Sequence, residues 1–208
     1  MSGEFGTIGG GFDNAAATYG STVAGGEANV ADGSTATISG GVQNEASGAT
    51  ATVGGGNENV ASGADSTVAG GTQNQATYQY TTVCGGRFGV ASSRDATVGG
   101  GAKNEATATG ATVSGGDSNG ASMDLATVAG GDQNEASGEA AAVGGGASNV
   151  ASGERATVGG GIDNKATDSD STVAGGNSNE ATAVTSTVAG GLSNIAESTD
   201  ATVSGGFS

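Results

Sequence analysis

Catalysis needs a reactive group with a partner held at a fixed distance, and this chain is poor in both. It has no histidine and a single cysteine, Cys84. The commonest general base is therefore absent, and one thiol forms no internal disulfide. Serines and threonines are abundant, but no base recurs in register with them to make a hydroxyl nucleophilic. The 21 acidic residues fall at variable places, such as Glu45, Asp65, Glu105 and Asp124, as on a solvated face. The expectation is a protein that is not an enzyme, with no catalytic residue, no cofactor and no metal site.

What recurs in strict register is a set of residues that build. The stretch Ala51–Gly63, ATVGGGNENVASG, returns every 15 residues. Val53 recurs as Ile8, Val23, Ile38, Val68, Val83, Val98, Val113, Val128, Val143, Val158, Val173, Val188 and Val203. Two glycines occupy the second and third places after it, and an alanine the eighth. A fixed period of this length marks a repeat architecture. The alternatives fail: 44 glycines come with no proline and no G-X-Y period, which excludes collagen, and a disordered chain has no reason to hold valines in phase.

Within one repeat, Ala51-Thr52-Val53-Gly54 alternates as a strand, with Ala51 and Val53 inward and Thr52 and Gly54 outward. Gly55-Gly56 ends it with two residues that accept positive φ. Asn59-Val60-Ala61-Ser62 is a second short strand with Asn59 and Ala61 inward, and Gly63, or a variable residue elsewhere, starts a second turn. The predicted fold is all-β, a β-solenoid (parallel β-roll) of about fourteen 15-residue coils with two short strands per coil. Residues 1–6 form a lead-in or cap and 7–208 a single solenoid domain. Phe5 and Phe207 are expected to plug the two ends, where a solenoid exposes bare backbone.

Three groups of residues stand out as sites. The first is an inward asparagine column: Asn14, Asn29, Asn44, Asn59, Asn74, Asn104, Asn119, Asn134, Asn149, Asn164, Asn179 and Asn194, interrupted by Gly89. Buried amides need partners, so a structural ladder from rung to rung is expected. The second is an outward threonine column: Thr7, Thr22, Thr37, Thr52, Thr67, Thr82, Thr97, Thr112, Thr127, Thr157, Thr172, Thr187 and Thr202, broken by Ala142. Beside it runs a column of only Ala, Gly, Ser and Cys84. Such a flat, uncharged face suits plain stacking of rungs, packing against another chain, or the ordering of water on ice. The third is a departure from the repeat, where Tyr78, Tyr80, Arg87, Phe88 and Arg94 gather with Cys84 and Gly89 in consecutive coils. Aromatic and arginine side chains are enriched in recognition hot spots; a repeat with drifted turns is the competing explanation.

A net charge of -16 with five basic residues opposes nucleic-acid binding and adsorption to anionic membranes. No apolar run reaches transmembrane length, so no membrane insertion is expected, and no signal peptide opens the chain. One valine and a few small residues per coil bury little apolar surface against the cost of ordering fifteen residues. Lateral association would narrow that deficit, so the expected partner is the chain itself, as a homo-oligomer.

The run ATVGGGNENVASG, with its copies GATVSGGDSNGAS and RATVGGGIDNKATD, resembles the haemagglutinin-like head repeats of trimeric autotransporter adhesins and of some phage fibres. The resemblance covers residues 7–206. It implies a parallel β-roll, three chains side by side, a virion or extracellular surface location, and a surface glycan or protein receptor. The familiar version has a slightly shorter rung and an SVAIG-type strand where TVGGG stands here, and the chain shows no helical stalk or membrane anchor. More distantly, the chain is similar to the Asn- and Thr-rich solenoids of plant ice-binding proteins, which implies ice as the partner. The GG-x-x-N-x-A run also invites comparison with the calcium-binding nonapeptide GGxGxDxUx, but lacks the aspartate in register.

Overall fold

A computed structural model describes residues 4–207; Met1–Gly3 of the 1–6 lead-in and Ser208 lie outside the described residues. Among the described residues, twenty-seven strands of two residues alternate between two parallel sheets and no helix occurs, so the protein is an all-β solenoid. The first and second sheets have seven and six strands up to Thr97–Val98, and seven and seven from Glu105–Ala106 onward. There are thus thirteen complete coils where the aliphatic register alone suggested fourteen, because Val203 opens a strand that no second strand follows. Contacts group the chain into two units, 1–103 and 104–208. In the first unit, the first sheet runs in register from Thr7–Ile8 to Thr97–Val98 and the second from Ala15–Ala16 to Val90–Ala91. In the second unit, the corresponding ranges are Thr112–Val113 to Thr202–Val203 and Glu105–Ala106 to Ile195–Ala196. Columns below are named by their member in the coil Ala51–Asp65.

β-branched Thr52-Val53 favours extended backbone, and glycine on its far side ends it after two residues. The Val53, Ala51, Ala61 and Asn59 columns face inward, and all four of these residues are fully buried. Gly56 has a φ of 93°, and an added Cβ would run into the Gly71 carbonyl oxygen and stand 2.6 Å from Asn59 Nδ2. The corner between the strands can therefore be turned only by glycine.

Most backbone N–H groups point to the following coil. Thr52 donates to Ser66 O, Gly54 to Val68 O, Asn57 to Gly71 O, Val60 to Asn74 O and Ser62 to Ala76 O, each at 2.9 Å. The Asn57 column adds a third line of parallel bridges inside the first turn, such as Val42–Asn57 and Asn57–Thr72. Two residues per coil send their N–H to a backbone carbonyl of the preceding coil. Glu58 N donates to Val42 O (3.0 Å) and Asp65 N to Ala49 O (2.8 Å), both in the preceding coil. Their φ values are 54° and 57°; the left-handed conformation flips the N–H backwards at a cost of about 1 kcal/mol for a residue with a Cβ.

Two forms of the second turn recur. Where the Gly63 column holds Gly33, Gly48, Gly138 or Gly153, its N–H reaches an alanine carbonyl of the next coil, as from Gly33 to Ala46 O at 3.1 Å. The residue three places on is then alanine. Where the column holds Thr18, Asp168 or Ala183, the N–H is instead met by the hydroxyl of Ser21, Ser171 or Ser186 at 3.3, 3.3 and 3.2 Å. Gly63 with Ser66 mixes the two forms. Its N–H goes to Ala76 O at 3.3 Å, and Ser66 Oγ is left buried with no hydrogen-bond partner.

The terminal phenylalanines do not plug the coils. Phe5 stands in the Asp65 column and Phe207 in the Asn57 column. Both columns face outward, and the rings are 72% and 83% exposed. Phe5 packs edge-on against Tyr19 with ring centroids 5.6 Å apart.

Candidate functional site

The asparagine column is an amide ladder within each unit, interrupted at Gly89 and joined between Asn59 and Asn74 through the Asn74 backbone N–H alone. Asn59 Nδ2 donates to Asn44 Oδ1 (3.1 Å), to Gly55 O in its own coil (2.9 Å) and to Gly71 O in the next (2.9 Å). Its backbone N–H also donates to Asn44 Oδ1 at 3.0 Å, and its own Oδ1 accepts from Asn74 N at 3.0 Å. The pattern runs from Asn134 through Asn149 and Asn164 to Asn179 in the second unit. At Gly89 only the backbone N–H remains to meet Asn74 Oδ1, at 2.9 Å. The amides are thus consumed in joining rungs and corners. These hydrogen bonds are the structural ladder that buried amides require.

The threonine column lies on the outer face of the first sheet. Partners in the ladder are threonine to threonine, as Thr52–Thr67 and Thr112–Thr127, with Ala142 between Thr127 and Thr157. The side chains are half-buried, with Thr7 and Thr202 exposed at the ends. Among the described residues, no hydroxyl of this column is engaged in a hydrogen bond within the chain. The adjacent Gly54 column is exposed and contains only Gly, Ala, Ser and Cys84. None of the 26 charged residues (21 acidic and 5 basic) falls in either column.

The outer face of the second sheet is different. In the first unit the Val60 column reads Ala15, Val30, Glu45, Val60, Gln75, Val90. In the second it reads Glu105, Gly120, Glu135, Val150, Lys165, Glu180, Ile195. No two carboxylates are adjacent. Where two charged residues do meet, they are Lys165 and Glu180, paired at 2.9 Å.

The corners carry most remaining charge, and some of it is tied between neighbouring coils. Thr50 Oγ1 donates to Asp65 and Thr185 Oγ1 to Asp200. Arg155 donates to Asp170 through Nε and Nη2, both at 2.8 Å, and also pairs with Glu154. Those hydrogen bonds hold the Asp170 carboxyl below its ordinary value and the Arg155 guanidinium above its own.

The irregular residues are not one patch. Tyr78, Tyr80 and Arg94 share the second turn, with the Arg94 guanidinium 5.7 Å from the Tyr80 ring centroid. Arg87 and Phe88 belong to the first turn, on the other edge of the coil, where Phe88 N donates to Thr72 O at 3.0 Å. The fifteen-residue register separates them: seven places along a coil leads from one corner to the other. Among the described residues, no three metal-ligating side chains converge, and no helix is long and apolar enough to cross a membrane.

A family model, the ubiquitous surface protein adhesin repeat, matches residues 126–138. That segment, ATVAGGDQNEASG, runs from buried Ala126 through the strand Thr127–Val128, the Gly131 corner, the Asn134 rung and Ala136 to the turn at Gly138. No curated protein matches the chain. The matched coil is similar to an adhesin repeat in sequence and is a β-solenoid rung in structure, which together suggest a structural or adhesive repeat protein.

Proposed function

We propose that this chain is a non-enzymatic structural and adhesive β-solenoid, the head or fibre portion of a protein on a virion or cell surface. Copies pack side by side through the outer face of the first sheet, as a homotrimer. The observation that carries this reading is the exclusion of charge from that face in a chain of net charge -16. Such copies repel one another, and close contact is least costly where no charge has to leave water. Small residues of the Gly54 column let a neighbour approach, and the uncommitted threonine hydroxyls can hydrogen-bond across the contact. The adhesin-repeat match and the likeness of the coils to haemagglutinin-like head repeats support the same assignment. Sedimentation equilibrium tests it: the expected mass is three times the 19.1 kDa chain, and a stable monomer would overturn it.

A second reading rests on the hydroxyls themselves. One threonine per rung, at the usual strand spacing of about 4.8 Å, is a regular array able to order water as an ice-binding face. In that case the chain is a monomer with ice as its partner. Replacing Thr97, Thr112 and Thr127 by lysine should abolish thermal hysteresis, and its absence from the parent protein ends this reading.

A further inference from the structure

We infer that the Tyr78–Tyr80–Arg94 corner binds a neutral, polyhydroxylated ligand, a sugar ring of an oligosaccharide laid against the tyrosines. The inference rests on the adhesive reading above and supplies the class of receptor for it.

Only seven of the 208 residues are aromatic, and two of them stand on one turn, separated by Gln79. Tyr78 is 54% exposed and Tyr80 44%, yet the backbone beneath them is fixed. Tyr80 N donates to Ala64 O of the preceding coil at 3.0 Å. Tyr78 O accepts from Thr81 N at 3.3 Å and from Thr81 Oγ1 at 2.6 Å. Gln79 O accepts from Asp95 N of the next coil at 3.2 Å. The rings are carried on a rigid rung, so little ordering is needed to present them.

Charge around the rings selects the ligand. Tyr80 lies in the corner column between Asp65, one coil before, and Asp95, one coil after, each about 4.8 Å away along the stack. Those carboxylates repel an anion. Arg94 already covers the Tyr80 ring at 5.7 Å, so a ligand cation would meet the guanidinium at the place where the ring would attract it. A neutral molecule that both donates and accepts hydrogen bonds remains. Carboxylates accept from its hydroxyls. Arg94, whose Nε faces Asp95 at 3.4 Å, has its terminal nitrogens to donate, and the Gln79 amide and both phenols are uncommitted within the chain. Aliphatic C–H groups of a sugar ring pack on a tyrosine face while its hydroxyls reach these groups. Further along the same corner, Arg155 and Asp170 close it with an ion pair between coils.

The test applies the full chain to a printed array of neutral, sialylated and sulfated oligosaccharides, then titrates the strongest neutral ligand by calorimetry. Tyr80→Asn removes the ring while keeping a residue that tolerates the left-handed φ of 62°; Tyr80→Phe keeps the ring. Binding to neutral sugars is expected, weakened at least tenfold in Tyr80→Asn and in Arg94→Ala and within about threefold of the parent in Tyr80→Phe. No binding above background, binding confined to sialylated or sulfated sugars, or full affinity in Tyr80→Asn would each overturn the inference. Native mass measured on the same samples separates the two readings. A trimer blind to sugar removes only this site, whereas a monomer that binds sugar removes only the assembly.

Discussion

The two sheet faces are built on one scaffold and meet the same difficulty, since parallel in-register stacking sets each residue beside its counterpart one coil away. On the second face the Val60 column admits charge and manages it. Glu45 is followed by Val60, Glu105 by Gly120 and Glu135 by Val150, and adjacent charges occur as the Lys165–Glu180 pair. Spacing like charges two rungs apart moves them to about 9.6 Å, near the screening length of physiological salt. Charge is therefore compatible with a rung. Its total exclusion from the Thr52 and Gly54 columns is not a requirement of stacking, and the assembly proposed above rests on that difference.

The largest test of this contrast is assembly. Lysines at Thr112 and Thr127 should reduce the native mass from three chains to one in sedimentation equilibrium, whereas Val150→Lys on the second face should leave the mass unchanged. Equal outcomes would erase the distinction between the faces. Next in size is the interior that both faces share. Asn149→Ala removes donors to Gly145 O and Gly161 O and leaves the Asn164 N–H without its acceptor. A loss of roughly 3 kcal/mol is expected in urea unfolding, with Glu135→Ala near zero as the surface control. A smaller gain is expected from Ser66→Ala, about 1 kcal/mol. It restores the glycine form of the turn and removes a buried hydroxyl that has no partner. Unchanged or lower stability would show that the hydroxyl is not a burden. The smallest effect concerns charge spacing. Val60→Glu creates adjacent carboxylates with Glu45, whereas Val60→Lys pairs with it; the two variants should differ by about 0.5–1 kcal/mol at low salt, and thermal melts should converge as salt is added.

Much of this was legible in the residues alone because a fifteen-residue register is a direct statement about neighbours. Once Val53 is placed inward, alternation fixes Ala51 as buried and Thr52 as outward, and the same parity places Asn59 and Ala61 in the core. Gly56 announces its corner because no residue with a Cβ could turn it. The outward threonine face and the asparagine ladder follow from those placements without knowledge of how the coil closes.

Other features depend on closure, and the register carries no sign of them. The left-handed residues at the Glu58 and Asp65 columns are chemically mixed, with Phe88, Lys103, Leu125 and Arg155 among them; their conformation is imposed by an N–H that must reach the preceding coil. Phe5 and Phe207 look like plugs by position along the chain, but their columns face solvent. Arg87 and Phe88 are near Tyr80 in sequence and lie on the other corner, because distance around a coil is set by its two turns. The repeat alone determined which side chains lie inside and which outside. Only the closed coil decided which outward residues meet, since that depends on where the backbone reverses and to which neighbour each N–H is sent.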